Sequence, residues 1–307
     1  LSGICLVSPE IGNIGLMKVL QFTVPIVQKG SVAVQEDILP YFYNYYHRHA
    51  EAQITLIIKG EGTFIAGNYT QPFKPGDVYL LGANQPHIFK ADAHYFENQQ
   101  ENNIHAIHVY FDQDSLMKGI FNLQELDGIR KFLLSAGNGY QLPDQYCGMA
   151  SLMIKRINAT ERAERLFEFF RLLQFFAHEV KDWKSLSNGF SKYSFTDSEG
   201  LRMNDIYQYT VEHYAEDISL RKVSEVAHIT PHAFCKYFKK HTRKTYMSFL
   251  NEIRINEACK RIINGDFDSI SSIAYSIGFN NTITFNRVFK KVTGMTPSSY
   301  ISEYKRK

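Results

Sequence analysis

Between residues 20 and 112 the chain alternates short apolar runs with turn-forming residues. "AQITLIIK" (52–59), "TFIA" (63–66), "DVYLL" (77–81) and "HAIHVYF" (105–111) are rich in β-branched and aromatic side chains. Gly60-Glu61-Gly62, Gly67-Asn68, Pro75-Gly76-Asp77 and Asn84-Gln85-Pro86 separate them. Short strands at regular spacing with such punctuation predict a sandwich or small barrel. After about residue 115 the apolar period lengthens to that of a helix, in "NLQELDGIRKFLL" and "YCGMASLMIKRI". Over 160–183, Leu166, Phe169, Phe170, Leu173, Ala177 and Val180 form one stripe at three- and four-residue steps, widened by Phe175 and Phe176. Such a stripe serves as a dimer seam or packs on the chain's own barrel, and a dimer is the expectation taken here. "SLSNGFSKYSFTDSEG" (185–200) loses the period and reads as a linker. Short helical segments follow. The expected division is a β-barrel over 17–115, a helical dimerisation segment over 116–184, a linker over 185–200 and an all-α domain over 201–307.

The last domain contains a repeat. "TPHAFCKYFKK" (230–240) and "NTITFNRVFKK" (281–291) end in the same aromatic-basic run. At an offset of 50, Ser219 falls on Ser269, Val223 on Ile273 and His228 on Gly278; at 51, Phe234 falls on Phe285, Lys236 on Arg287 and Phe238 on Phe289. The slip of one residue lies between two helices, as expected for a duplicated helix-turn-helix with one longer turn. Thr230 caps a helix whose first residue is Pro231, where a missing N–H costs nothing, and Asn281 caps its counterpart. Phe234/Phe238 and Phe285/Phe289, four residues apart, face inward. His232, Cys235, Lys236 and Lys239 lie on other faces in the first copy, and Ile283, Thr284, Arg287 and Lys290 in the second. Lys239, Lys240, Lys290 and Lys291 suit phosphates, whereas base edges in the major groove call for hydrogen-bonding or methyl-bearing side chains.

Charge sharpens this reading. From residue 201 onward there are 17 Lys plus Arg against 10 Asp plus Glu, a net +7; the first 200 residues carry 17 against 21, a net −4. A basic domain joined to an acidic one points to a polyanionic partner at one end. Cys5, Cys147, Cys235 and Cys259 form no CxxC pair and fit reduced thiols in a cytoplasm. No apolar run approaches the roughly 20 residues of a membrane span. Met17 is the expected initiator.

On the motifs "VSEVAHIT", "FCKYFKK" and "SIAYSIGFNNTITFNRVFKKVTGMTPSSY", with Gly294-Met295-Thr296-Pro297 and Tyr300, residues 203–307 resemble the DNA-binding domain of the AraC/XylS family of bacterial transcription regulators. The resemblance implies seven helices from about Met203, a linking helix near 247–263 and a last helix from Pro297. It also implies base-facing positions at His232, Cys235 and Lys236 in one helix and at Ile283, Thr284 and Arg287 in the other. The first copy has Arg243 where that family usually has Gly.

In the strand-rich half, His47 and His49 stand two apart and share a face if extended, and His87 could join them from another strand. With Gln53 they make a four-member set that either binds a transition metal or supplies neutral hydrogen bonds to a pocket. His105 and His108, three apart, fall on opposite faces of their strand. Tyr41, Phe42, Tyr43, Tyr45 and Tyr46 could line a ligand pocket or form core and rim. The segment resembles a cupin barrel, except that Gln53 stands where that family places a Glu ligand. Regulators with this domain order mostly hold a small effector there without metal.

The expectation is an α+β multidomain protein, a cupin-like β-barrel with a helical dimerisation segment and a C-terminal double helix-turn-helix. It would be a non-enzymatic transcription regulator without a cofactor, its partners double-stranded DNA, a second copy and a small effector, a carbohydrate or related metabolite. RNA polymerase is a further candidate partner. The effector would meet His47, His49, Gln53, His87 and Tyr43. A metal-dependent cupin enzyme with a DNA-binding tail is the rival reading.

Overall fold

The computed structural model describes residues 22–23, 30–92, 94–97, 103–187 and 196–304. The expected start at Met17 and residues 188–195 of the expected linker lie outside the described residues. The chain divides into two compact units, with the main boundary between Leu201 and Arg202.

The strands are β1 (Val32–Leu39), β2 (Ala52–Lys59), β3 (Gly62–Ala66), β4 (Tyr69–Phe73), β5 (Val78–Leu81), β6 (His87–Ala91), β7 (Ile104–Phe111), β8 (Tyr140–Gln141) and β9 (Lys184–Ser185). They form a six-stranded sheet in the order β1-β7-β2-β5-β8-β9 and a three-stranded sheet in the order β4-β3-β6. The expected closed barrel is thus corrected to two open sheets. At four or five residues, β3 to β6 are too short to continue the eight-residue strands β1, β2 and β7 around a closed ladder.

The central strand β2 pairs antiparallel with β7 and β5, setting Thr55 opposite His108 and Gln53 opposite both Tyr110 and Leu81. Because side chains alternate along a strand, β2 carries two different faces. Ile54 and Leu56 join Val109 and Phe111 in an apolar core, while Gln53 and Thr55 project from the other side.

The apolar face is covered by helices. After α1 (His94–Glu97) and α2 (Lys118–Phe121) come α3 (Asp127–Ser135), α4 (Asp144–Ala159) and α5 (Arg162–His178). Ile154 and Ile157 of α4 and Phe169, Leu172, Leu173 and Phe176 of α5 have no exposure and lie in the same core as the strand residues. The stripe that reads as a dimer seam is therefore taken up by the chain's own sheet. A face broadened by Phe175 and Phe176 covers a sheet better than a narrow two-helix seam. Left outward are Met149 and Leu152 on α4 and Phe167 on α5.

The second helical array is α6 (Asp197–His213), α7 (Leu220–Val226), α8 (Pro231–Thr242), α9 (Tyr246–Asn264), α10 (Ile270–Ser276), α11 (Thr282–Thr293) and α12 (Pro297–Tyr304). α6 starts inside the stretch expected to be linker and earlier than Met203. The cause is local: the Thr196 N–H donates to the Glu199 carboxylate at 2.9 Å and the Glu199 N–H donates to the Thr196 hydroxyl at 3.2 Å. That reciprocal pair closes the first turn. The long α9 carries α8 against one part and α10, α11 and α12 against another.

Candidate nucleic-acid interface and buried histidine cluster

The duplication extends to individual hydrogen bonds. Ser219 and Ser269 cap α7 and α10, accepting from the N–H of Lys222 and Ser272. Thr230 and Asn281 cap α8 and α11, accepting from Ala233 at 3.3 Å and Thr284 at 2.7 Å. At the other end, the Thr242 hydroxyl donates to the Phe238 carbonyl, and Thr293 does the same to Phe289. Phe234, Phe238, Phe285 and Phe289 have no exposure. At about 2–3 kcal/mol for each buried phenyl side chain, these anchors fix which way each helix faces.

The two copies differ where the backbone turns left-handed. Gly278 (φ 89°) and Gly294 (φ 80°) occupy the turn and the C-cap of the second copy, whereas the first uses His228 (φ 53°) and Arg243 (φ 59°). Arg243 still closes its helix as Gly294 does, each N–H reaching a Lys carbonyl at 2.9 Å. The turn at Arg243 therefore forms without the glycine usual in that family, at the cost of a side chain in a region that favours glycine. Gly278 is less replaceable. A Cβ there would stand 2.7 Å from the Ala215 carbonyl oxygen and 2.8 Å from the Arg254 guanidinium. Arg254 is buried and donates to the carbonyls of Tyr214 at 2.7 Å and Glu216 at 2.8 Å. It clamps the loop before α7 onto α9.

With the phenyl anchors inward, His232, Cys235, Lys236, Lys239 and Lys240 are exposed on α8, and Ile283, Arg287, Lys290 and Lys291 on α11. Thr284 is only half-exposed. Asn286, which the sequence reading passed over, is exposed beside Arg287. The 51-residue offset places it opposite Cys235, the signal that could have found it.

The second site lies in the first unit. His47 and His87 form an isolated antiparallel bridge, with N–H···O distances of 3.0 and 2.8 Å. Their rings are 4.5 Å apart between centroids, and that of His49 lies 5.2 Å from His87. The three expected histidines thus converge, and Tyr43 meets His47 edge-on at 4.9 Å. In each ring Nδ1 lies 2.8–2.9 Å from a backbone carbonyl two residues away, that of Tyr45, Glu51 or Gln85. Burial, reinforced by neighbouring His49, pushes the His47 imidazole down to about 3. Burial holds His49 at about 4, against the upward pull of its hydrogen bonds to Gln53 and Glu51. Burial and the neighbouring His47 lower His87 well below the usual range. These rings are neutral near pH 7.

Gln53 extends the cluster. Its Oε1 lies 2.7 Å from His49 Nε2, and its Nε2 donates to Thr55 Oγ1 at 2.7 Å and to His108 Nδ1 at 2.9 Å. His108 Nε2 reaches Asp37 at 3.4 Å. Burial alone would raise the Asp37 carboxyl, but hydrogen bonds from His108 and Gln35 hold it low. Both nitrogens of His49 face acceptors, and a neutral ring has one proton to give. Turning the Gln53 amide would offer His49 an N–H instead, so Gln53 is the adjustable member of the chain. His108, Thr55 and Asp37 were missed in the sequence because strand register, not spacing along the chain, brings them in. His105 lies apart, paired with Glu36 at 2.7 Å. Among the described residues, no group of three or more His, Cys, Asp or Glu is arranged to hold a metal ion.

Comparison with known proteins adds two domain matches and several relatives. Residues 29–176 match the AraC-like ligand binding domain, and residues 223–303 match a helix-turn-helix domain. The HTH-type transcriptional regulator YdeC of Bacillus subtilis is 24% identical over 83% of this chain and 84% of its own length. The raffinose operon transcriptional regulatory protein RafR of Pediococcus pentosaceus is 22% identical over 87% of this chain and 90% of its own. The HTH-type transcriptional regulator YobQ of Bacillus subtilis is 32% identical over 30% of this chain, and that match spans 38% of YobQ.

Proposed function

Because the chain belongs to the AraC family of transcription regulators, with a ligand-binding domain ahead of a DNA-binding one, we propose that α8 and α11 enter successive major grooves of one DNA site. The observation that carries this is the matched pair of helices, anchored by buried phenyl pairs, each leaving a basic residue outward, Lys236 on one and Arg287 on the other. The 19 residues of α9 make a rod of about 28 Å, of the order of the roughly 34 Å groove repeat. His232, Cys235 and Lys236 then face bases in one half-site, and Ile283, Thr284 and Arg287 in the other. Lys239, Lys240, Lys290 and Lys291 meet phosphates. A single chain reading two unlike halves recognises an asymmetric site.

The test is selection of a binding site from random DNA with the full chain, followed by two substitutions. Arg287→Ala relaxes base choice in one half-site by about 1–3 kcal/mol. Lys290→Ala weakens all sequences alike and reduces the salt slope by about one. Uniform loss on every sequence for both variants would refute the assigned roles.

We further infer that the effector meets His47, His49, Gln53, His87 and Tyr43. Neutral imidazoles, an amide and a phenol offer donors and acceptors without net charge, which suits a neutral polyhydroxylated metabolite. The raffinose operon named for RafR supports a carbohydrate.

A further inference from the structure

Ile283 is 81% exposed, the most exposed of the large apolar side chains among the described residues. A lone aliphatic residue at a protein surface is ordinary, but two features set this one apart. It is the second residue of α11, at the end a groove-reading helix presents to base edges. Its counterpart in the duplicate is His232, also exposed and also second in its helix. The shared fold therefore has no need of an aliphatic group there, since Phe285 and Phe289 already supply the inward anchors. A helix N-terminus ordinarily favours acidic residues. Ile283 is neither a packing residue nor a favourable end residue.

The floor of the major groove presents one apolar group, the C5-methyl of thymine. A β-branched side chain on a helix is held largely to one rotamer, so Ile283 offers a stiff apolar surface in a fixed direction. Arg287, four residues on and also exposed, has the fork that pairs with guanine O6 and N7. Four residues of helix rise about 6 Å, close to two base-pair steps of about 3.4 Å. Resting on the DNA-binding reading above, we propose that Ile283 reads a thymine methyl one or two base pairs from the guanine taken by Arg287. The second half-site then carries a methyl-dependent T/G element, and the first, with His232 at the equivalent place, carries none.

The experiment uses the full chain and its selected site. Each thymine is replaced in turn by deoxyuridine, which removes only the methyl, and each guanine by 7-deazaguanine, which removes only N7. One thymine should lose about four-fold in affinity on demethylation, the worth of one buried methyl-sized group. It should lie within two base pairs of the guanine most sensitive to the loss of N7. Ile283→Ala should abolish the deoxyuridine penalty and keep the 7-deazaguanine one, Ile283→Val should retain both, and Arg287→Ala should lose only the second. A site with no methyl-sensitive thymine, or a penalty unchanged in Ile283→Ala, overturns this inference while leaving DNA recognition standing. Failure to select any sequence overturns both.

Discussion

At the scale of single residues, His49 and His87 set a clear dependence on pH. An unfolded histidine takes up its proton near pH 6.5, whereas burial keeps the folded His49 neutral to about 4 and holds His87 well below the usual range. Between those limits the unfolded chain binds more protons, so stability is full above about pH 6.5 and falls as the pH drops. Two such rings give a slope of about 3 kcal/mol per pH unit once the unfolded rings are charged. His47 keeps some exposure and adds less. Thermal melting of the full chain from pH 7.5 to 4.5 measures this. A flat profile would mean that the rings are protonated or solvated in the folded state. The same melts at pH 7, with and without neutral oligosaccharides, test the effector reading, which expects a stabilising sugar whose effect is lost in His49→Ala. Spacing made His47 and His49 legible as a pair, with His87 as a partner from another strand. Gln53 was legible as a departure from a ligand set. Its actual partners, Thr55 and His108, depend on which residues stand opposite across β2 and β7, and no local pattern carries that register.

At the scale of elements, the two helix-turn-helix copies were readable because their signals are local. Caps, inward phenyl pairs and terminal lysines all lie within one or two turns of each other. The copies are nonetheless unequal: left-handed backbone falls on Gly278 and Gly294 in one and on His228 and Arg243 in the other. Relief of that strain, less the entropy glycine adds to the unfolded chain, makes Arg243→Gly stabilising by about 0.5–1 kcal/mol. A raised urea midpoint at unchanged slope is the expected reading, and a lowered midpoint would show that the Arg243 side chain contributes more than its backbone costs. The α5 stripe and the start of α6 were less legible. An apolar stripe states that a face is buried without stating against what, and here a sheet of the same chain covers it. The Thr196–Glu199 pair is a capping signal, but it sits in a serine- and glycine-rich stretch whose composition reads as linker.

At the scale of the whole molecule, charge and sequence texture separate a basic helical half from an acidic strand-rich half, and the matched domains, 29–176 and 223–303, fall on those halves. Closure of the barrel was not legible, because strand count and turn chemistry are the same for an open pair of sheets as for a closed one. The proposed DNA recognition requires two unlike readers held by one rod, α9. The most direct measurement is the affinity of the full chain for its selected site with five base pairs inserted between the half-sites, which turns them to opposite faces of the duplex. Affinity should fall to that of a single half-site, and either Lys236→Ala or Arg287→Ala should then cease to matter. Unchanged affinity, with both residues still required, would contradict a rigid pair of groove-reading helices.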